Sequence, residues 1–221
     1  MKEGEWRFAM TGGRVGRLFH KFSSIVHEFW AGEPLLVDGS NMMRGRFQLE
    51  RAVWDDQQVA VTSVKLPGVS DPSWTAYKGS YVLTFAKGAD NIISFIVQMP
   101  HRYKEGSDID FHIHTCWPDG AAGDTIWNFT HSWANIDDDF PAETTVAAVT
   151  IASPANQDNL QLDTIAATIT GSGKKISSVI LCSLQREGTA VADDYDNVTY
   201  MVALDFHVPR NTLGSRTKLL K

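Results

Sequence analysis

The stretch Asp108-Ile109-Asp110-Phe111-His112-Ile113-His114-Thr115-Cys116-Trp117 decides the fold. In an extended chain, successive side chains point to opposite faces. One face then carries Ile109, Phe111, Ile113, Thr115 and Trp117, and the other carries Asp108, Asp110, His112, His114 and Cys116. Strict alternation of apolar and polar residues predicts a strand with one face in a core. The opposite face is either solvated or a ligand set, and the function turns on which.

Working outward, the same period of two recurs. Ile92–Met99 puts Ile93, Phe95, Val97 and Met99 on one face, and Pro100 stops it. Thr125–Trp133 puts Trp127, Phe129, His131 and Trp133 together. Pro118 to Gly123 looks like a hairpin loop, which would pair that strand with 108–117. A regular stripe of Trp127, Phe129 and Trp133 reads as core in preference to a sugar-stacking platform. Gln58–Lys65, Ser80–Phe85, Thr144–Ile151, Leu160–Thr170, Lys175–Leu184 and Thr199–Val208 are further strand candidates between turn signals. Many short strands predict an all-β fold over 51–221: an antiparallel β-sandwich, jelly-roll-like, with a barrel as second choice.

Residues 1–50 read differently. Arg14, Arg17, Lys21, Arg44 and Arg46 make them locally basic. Phe19, Phe22, Ile25, Val26, Phe29 and Trp30 recur at helical spacing, which predicts a short amphipathic helix near 15–30, ended by Gly32-Glu33-Pro34. The expectation is an N-terminal, partly helical arm that packs on its own domain or docks on a neighbouring subunit.

Composition narrows the classes. With 221 residues, 43% hydrophobic and seven Trp, the chain can build a sizeable core. A net charge of −6 argues against a broad nucleic-acid surface. No apolar run approaches the roughly 20 residues of a membrane helix, so no membrane partner is expected. Lys2 and Arg7 are not followed by an uninterrupted apolar segment, so a secretory signal is not expected. Cys116 and Cys182 are too few for a disulfide framework and read as reduced thiols, with a single bridge as the alternative.

The strongest chemical signal is His112-Ile113-His114. Two imidazoles at i and i+2 on a strand project side by side, and imidazole suits Zn, Fe, Ni or Cu. His112 and His114 are therefore the candidate metal ligands, with a transition metal as the candidate cofactor; a merely hydrogen-bonded polar face is the alternative. His207 sits two residues from Asp205, which can orient it. Asp137-Asp138-Asp139 is acidic but lacks a calcium-loop spacing. No nucleophile elbow, phosphate loop or dinucleotide fingerprint is present.

Two resemblances follow. Part of the first cupin motif is similar: Gly106, five residues, then His112-x-His114, with Asp119 where that family usually has Glu. The Gly expected next is missing. His131 and Asn135 match the end of the second motif without its Pro-x-Gly. This resemblance implies a four-ligand site of His112, His114, Asp119 and His131 and a metal-dependent enzyme. The second resemblance is in motif order. Val53-Trp-Asp-Asp56, the Lys65 to Pro72 loop, Gln98 to Ile109, His112-Ile-His114 with Trp133-Ala-Asn135, Gly171 to Ser178, Leu204-Asp-Phe-His207 and Thr212 to Arg216 occur in a sequence that resembles small tailed-bacteriophage and prophage virion proteins. It covers about 53–217 and implies a non-enzymatic virion component of the head, neck or tail, assembled in the host bacterial cytoplasm. Its partners would be copies of itself, with a trimer preferred, and other virion proteins. In a trimer, an HxH pair from each chain would fill an octahedron around one ion on the axis. A carbohydrate-binding host-attachment protein is a further expectation.

Overall fold

The computed structural model describes residues 52–215 and 218 with their side chains, and the backbone of the strand segments between 6 and 51. The strands are β1 (Trp6–Thr11), β2 (Arg14–Phe22), β3 (Ile25–Trp30), β4 (Leu36–Val37), β5 (Met43–Arg44), β6 (Gln48–Val59), β7 (Ser73–Tyr77), β8 (Ser80–Phe85), β9 (Ile92–Gln98), β10 (Ile109–Cys116), β11 (Asp124–Ala134), β12 (Thr144–Ala152), β13 (Leu160–Ile169), β14 (Val179–Arg186) and β15 (Thr199–Thr212). They fall into two compact units, residues 1–53 with 211–213, and residues 54–210 with 214–221.

In the first unit, β1, β2 and β3 form an antiparallel sheet, and β4 pairs with β5. The amphipathic helix expected over 15–30 is therefore corrected to the β2–β3 ribbon, in which Arg17 pairs with Trp30 and Phe22 with Ile25. The residues that suggested a helical stripe are aromatic and β-branched, types that favour pleated backbone as much as a helix face. Gly32, Glu33 and Pro34 lie outside the described residues.

The second unit is an antiparallel two-sheet sandwich. The larger sheet runs β13-β10-β15-β8-β7, with β6 also pairing with β15; the smaller runs β12-β11-β14-β9. Eight strands nest in pairs: β8 beside β15, β9 beside β14, β10 beside β13 and β11 beside β12. Rolling such a long ribbon into two sheets produces the jelly roll, as expected.

β10 is an interior strand of the larger sheet, between β13 and β15. Ile109, Phe111, Ile113, Thr115 and Trp117 are all fully buried. Burial of each large apolar side chain contributes about 1.5–3 kcal/mol. Phe111 stacks across the core on Phe129 with ring centroids 4.5 Å apart, and beside it in its own sheet meets Phe206 at 4.8 Å. Trp127, Phe129 and Trp133 are core, as their period predicted.

Two local expectations change, and one strand is added to those expected. The strand 124–134 does not pair with β10: β11 lies in the smaller sheet between β12 and β14. Residues 118–123 thus cross between layers, and the two apolar faces meet face to face instead of side by side. Gln58–Lys65 is not one strand. The chain leaves β6 at Val59, makes a 3-10 turn over Val61–Ser63, and Lys65 forms an isolated bridge to Ser94. That turn carries Val61 into the core beside Val59. Finally, β7 follows the break at Ser70-Asp71-Pro72; its Ser73-Trp-Thr-Ala-Tyr77 is half-exposed at the sheet edge and lacks apolar alternation.

Cys116 and Cys182 are buried free thiols on different sheets. Among the described residues, no helix is long and apolar enough to cross a membrane.

Candidate functional site

The polar face of β10 points away from the core, on the outer side of the larger sheet. Antiparallel register places Asp110 opposite His207 and His112 opposite Asp205 on β15. Side chains directly opposite on one face are near neighbours, so two pairs separated by about 95 residues of chain make one square of groups. β6 supplies a third row. Asp56 Oδ1 lies 3.4 Å from His207 Nε2, and the Trp54 ring centroid is 6.4 Å from that of His207. Strand alternation sends Asp55 to the other face, where it pairs with Arg102 and Arg210.

Asp205 is the hub. It is buried, at 3% exposure, and its two oxygens are divided. Oδ1 accepts from His114 Nε2 at 2.7 Å. Oδ2 lies 3.3 Å from His207 Nε2 and 4.0 Å from His112 Nδ1. The His112 and His207 rings meet edge to face at 3.9 Å. His112 is only 5% exposed, and its Nδ1 has no hydrogen-bond partner. Burial, then the neighbouring His207, hold the His112 imidazole below its ordinary pKa, against a weaker opposing pull from Asp205 and Asp110. Its neutral form is favoured, which leaves ring nitrogens able to act as ligands.

One donor atom from each of Asp110, His112 and His207 lies within 4.8 Å of the other two, and the same holds for Asp56, Asp205 and His207. The two sequence candidates thus part ways. His112 belongs to a ligand-like group, whereas His114 braces Asp205. In the sequence Asp205 and His207 stand only as a pair; their convergence with His112 comes from the β10–β15 register. The alternation Leu204-Asp205-Phe206-His207, matching Asp110-Phe111-His112, was the available signal.

The other residues of the cupin-like set sit elsewhere. Asp119 is in the loop after β10, accepting from Tyr195 Oη at 2.9 Å and Asn197 Nδ2 at 2.7 Å. His131 is on β11 in the other sheet, stacked on Phe129 at 5.6 Å. Asp137, Asp138 and Asp139 form an exposed loop, where Asp138 accepts from Asn135. His101 is bonded to Ser177 and Ser215.

A second polar centre lies at the end of β14. Arg186 is fully buried and forks onto Asp193, at 2.9 Å through Nε and 2.8 Å through one Nη. Its remaining donors go to the carbonyls of Phe85, Asn197 and Tyr195. This is a satisfied structural ion pair, which no local sequence pattern announced.

No protein-family model and no curated protein matches the chain. Among solved structures, the chain is similar to the CBM22-2 xylan-binding domain of Paenibacillus barcinonensis Xyn10C, at 10% identity over 67% of this chain and 92% of that one, with a TM-score of 0.38. It is also similar to TmCBM61 in complex with β-1,4-galactotriose, at 13% identity over 71% of this chain and 88% of that one, with a TM-score of 0.31. A third likeness is to the Clostridium thermocellum xylanase 10B CBM22-1–GH10 modules complexed with xylohexaose, at 8% identity over 72% of this chain and 28% of that one, TM-score 0.35. Likeness at this level carries no argument about what this chain binds.

Proposed function

We propose that the chain is a non-catalytic module that binds carbohydrate on the outer face of its larger sheet. One observation carries this reading: Trp54 is 61% exposed on a strand, beside a row of carboxylates and imidazoles. A sugar ring has apolar C–H faces and a rim of hydroxyls. Binding sites for such ligands combine an apolar or aromatic surface with a few placed polar groups. Here the Trp54 ring is the apolar surface. Asp56, Asp110 and His207 are the partly accessible polar groups around it. A glycan array followed by calorimetry tests the reading. Trp54→Ala is expected to weaken glycan binding at least about ten-fold, the loss of roughly 1.4 kcal/mol. Trp74→Ala, at an exposed ring on the edge strand β7, is expected to leave it unchanged. Absence of glycan binding, or binding indifferent to Trp54, sinks the proposal.

A second reading has its own observation. Ile96 on β9 and Leu181 on β14 are directly opposite on the outer face of the smaller sheet, 68% and 38% exposed. An exposed apolar pair of this kind suits subunit contact. With the motif order of 53–217, it supports a virion component that acts as a homo-oligomer, a trimer preferred. A glycan-binding module in such a particle would serve attachment to a host.

A further inference from the structure

We infer that the outer face of the larger sheet holds one divalent transition-metal ion per chain, of the Zn2+ or Co2+ kind, between His112 and His207 with Asp110, Asp205 and Asp56 as the surrounding carboxylates. This does not depend on glycan binding. It places the second imidazole on β15, at His207, and not at His114.

Three features of geometry carry it. The donor atoms already converge: Asp110, His112 and His207 form one group within 4.8 Å, and Asp56, Asp205 and His207 form another. The two groups have His207 in common, which makes it the anchor of the proposed ion. His207 Nε2 stands 3.3 Å from Asp205 Oδ2 and 3.4 Å from Asp56 Oδ1. Those distances exceed the usual N–H···O range of about 2.7–3.2 Å. They match the separation of about 3.4 Å between donor atoms around a tetrahedral ion with bonds of about 2.0–2.2 Å.

The third feature is the unpartnered Nδ1 of His112, in a side chain only 6% exposed and 4.0 Å from Asp205 Oδ2. A buried polar atom without a partner is costly, and a metal bond satisfies it.

Charge points the same way. Among the described residues, no Lys or Arg forms an ion pair with Asp56, Asp110 or Asp205. A cation offsets their mutual repulsion. Two imidazoles among carboxylates select a first-row transition ion over Ca2+ or Mg2+, which take oxygen ligands. His114 acts as a positioning residue: by occupying Asp205 Oδ1 it leaves Oδ2 turned toward His207 and His112.

The test uses the full chain, stripped with a chelator and titrated with Co2+, followed by visible absorption and calorimetry. One Co2+ per chain is expected. His207→Ala should weaken binding by more than about ten-fold, since even outer partners of a metal ligand are worth about 10–100-fold. His114→Gln, which keeps an N–H for Asp205, should weaken it less. In the wild-type protein, Zn2+ should shift the ring-nitrogen NMR signals of His112 and His207 and spare those of His101, which decides the matter if a variant does not fold. No Co2+ bound, equal affinity in a folded His207→Ala protein, or shifts confined to other histidines each overturns the inference.

Discussion

Asp193→Ala tests how the end of the sandwich is held. Asp193 and Arg186 are both fully buried, and the guanidinium makes two charge-assisted bonds to the carboxylate. Removing the carboxylate leaves the guanidinium buried, its Nε without an acceptor and one Nη with only the Tyr195 carbonyl. Breaking a buried pair in this way costs about 3–5 kcal/mol. For a chain of this size, 1 kcal/mol shifts the melting temperature by about 2–4 °C, so the expected drop is roughly 6–20 °C. The Ile126 N–H, which donates to Asp193 Oδ2 at 3.0 Å, also loses its acceptor, which favours the upper half of that range. The companion variant Arg186→Met/Asp193→Leu removes both charges but strips donors from the carbonyls of Phe85, Asn197 and Tyr195. At about 1 kcal/mol for each hydrogen bond, it should recover only part of the loss. The assay is urea unfolding followed by tryptophan fluorescence, with a thermal scan in parallel. A drop below about 3 °C for Asp193→Ala, with unchanged denaturant sensitivity, refutes the reasoning. Water would then be satisfying the guanidinium.

Two other outcomes follow from the site and the surface. His112 and His131 are both held below the ordinary imidazole pKa chiefly by burial, with His207 and Lys174 respectively adding to it. The unfolded chain takes up those protons first, below about pH 6.5. Stability from these groups is therefore full above that pH and declines as pH falls, by at most about 1.4 kcal/mol per pH unit for each histidine. Asp163, raised by its burial, works in the opposite sense. The useful readout is thus wild type against a His112→Gln/His131→Gln protein, in chelator, between about pH 6.5 and 5.5: the variant's profile should be flatter, and identical slopes would count against the assignment. For assembly, light scattering should give an oligomer, with a trimer preferred, that Ile96→Lys/Leu181→Lys weakens; a monomeric wild type at micromolar concentration would end the subunit-contact reading.

Much of the sandwich was legible in the chain itself. Alternation over 92–99 and 108–117 told which face of each strand is buried, because the pleat ties side-chain direction to residue parity. It told equally that His112 and His114 point outward. Parity says nothing about which strand lies alongside, and pairing is where sequence reading stopped. Only the tertiary arrangement sent β11 into the opposite layer, so that Phe129 stacks on Phe111 instead of sitting next to it. The same arrangement brought β15 beside β10 and β6 beside β15, and thereby chose His207, Asp205 and Asp56 as the company of His112. It also turned the apolar recurrence over 15–30 into the β2–β3 ribbon. Local residue types limit the conformations a segment can take; contacts across a hundred residues select among them, since only the assembled core offers each apolar face a surface to bury against.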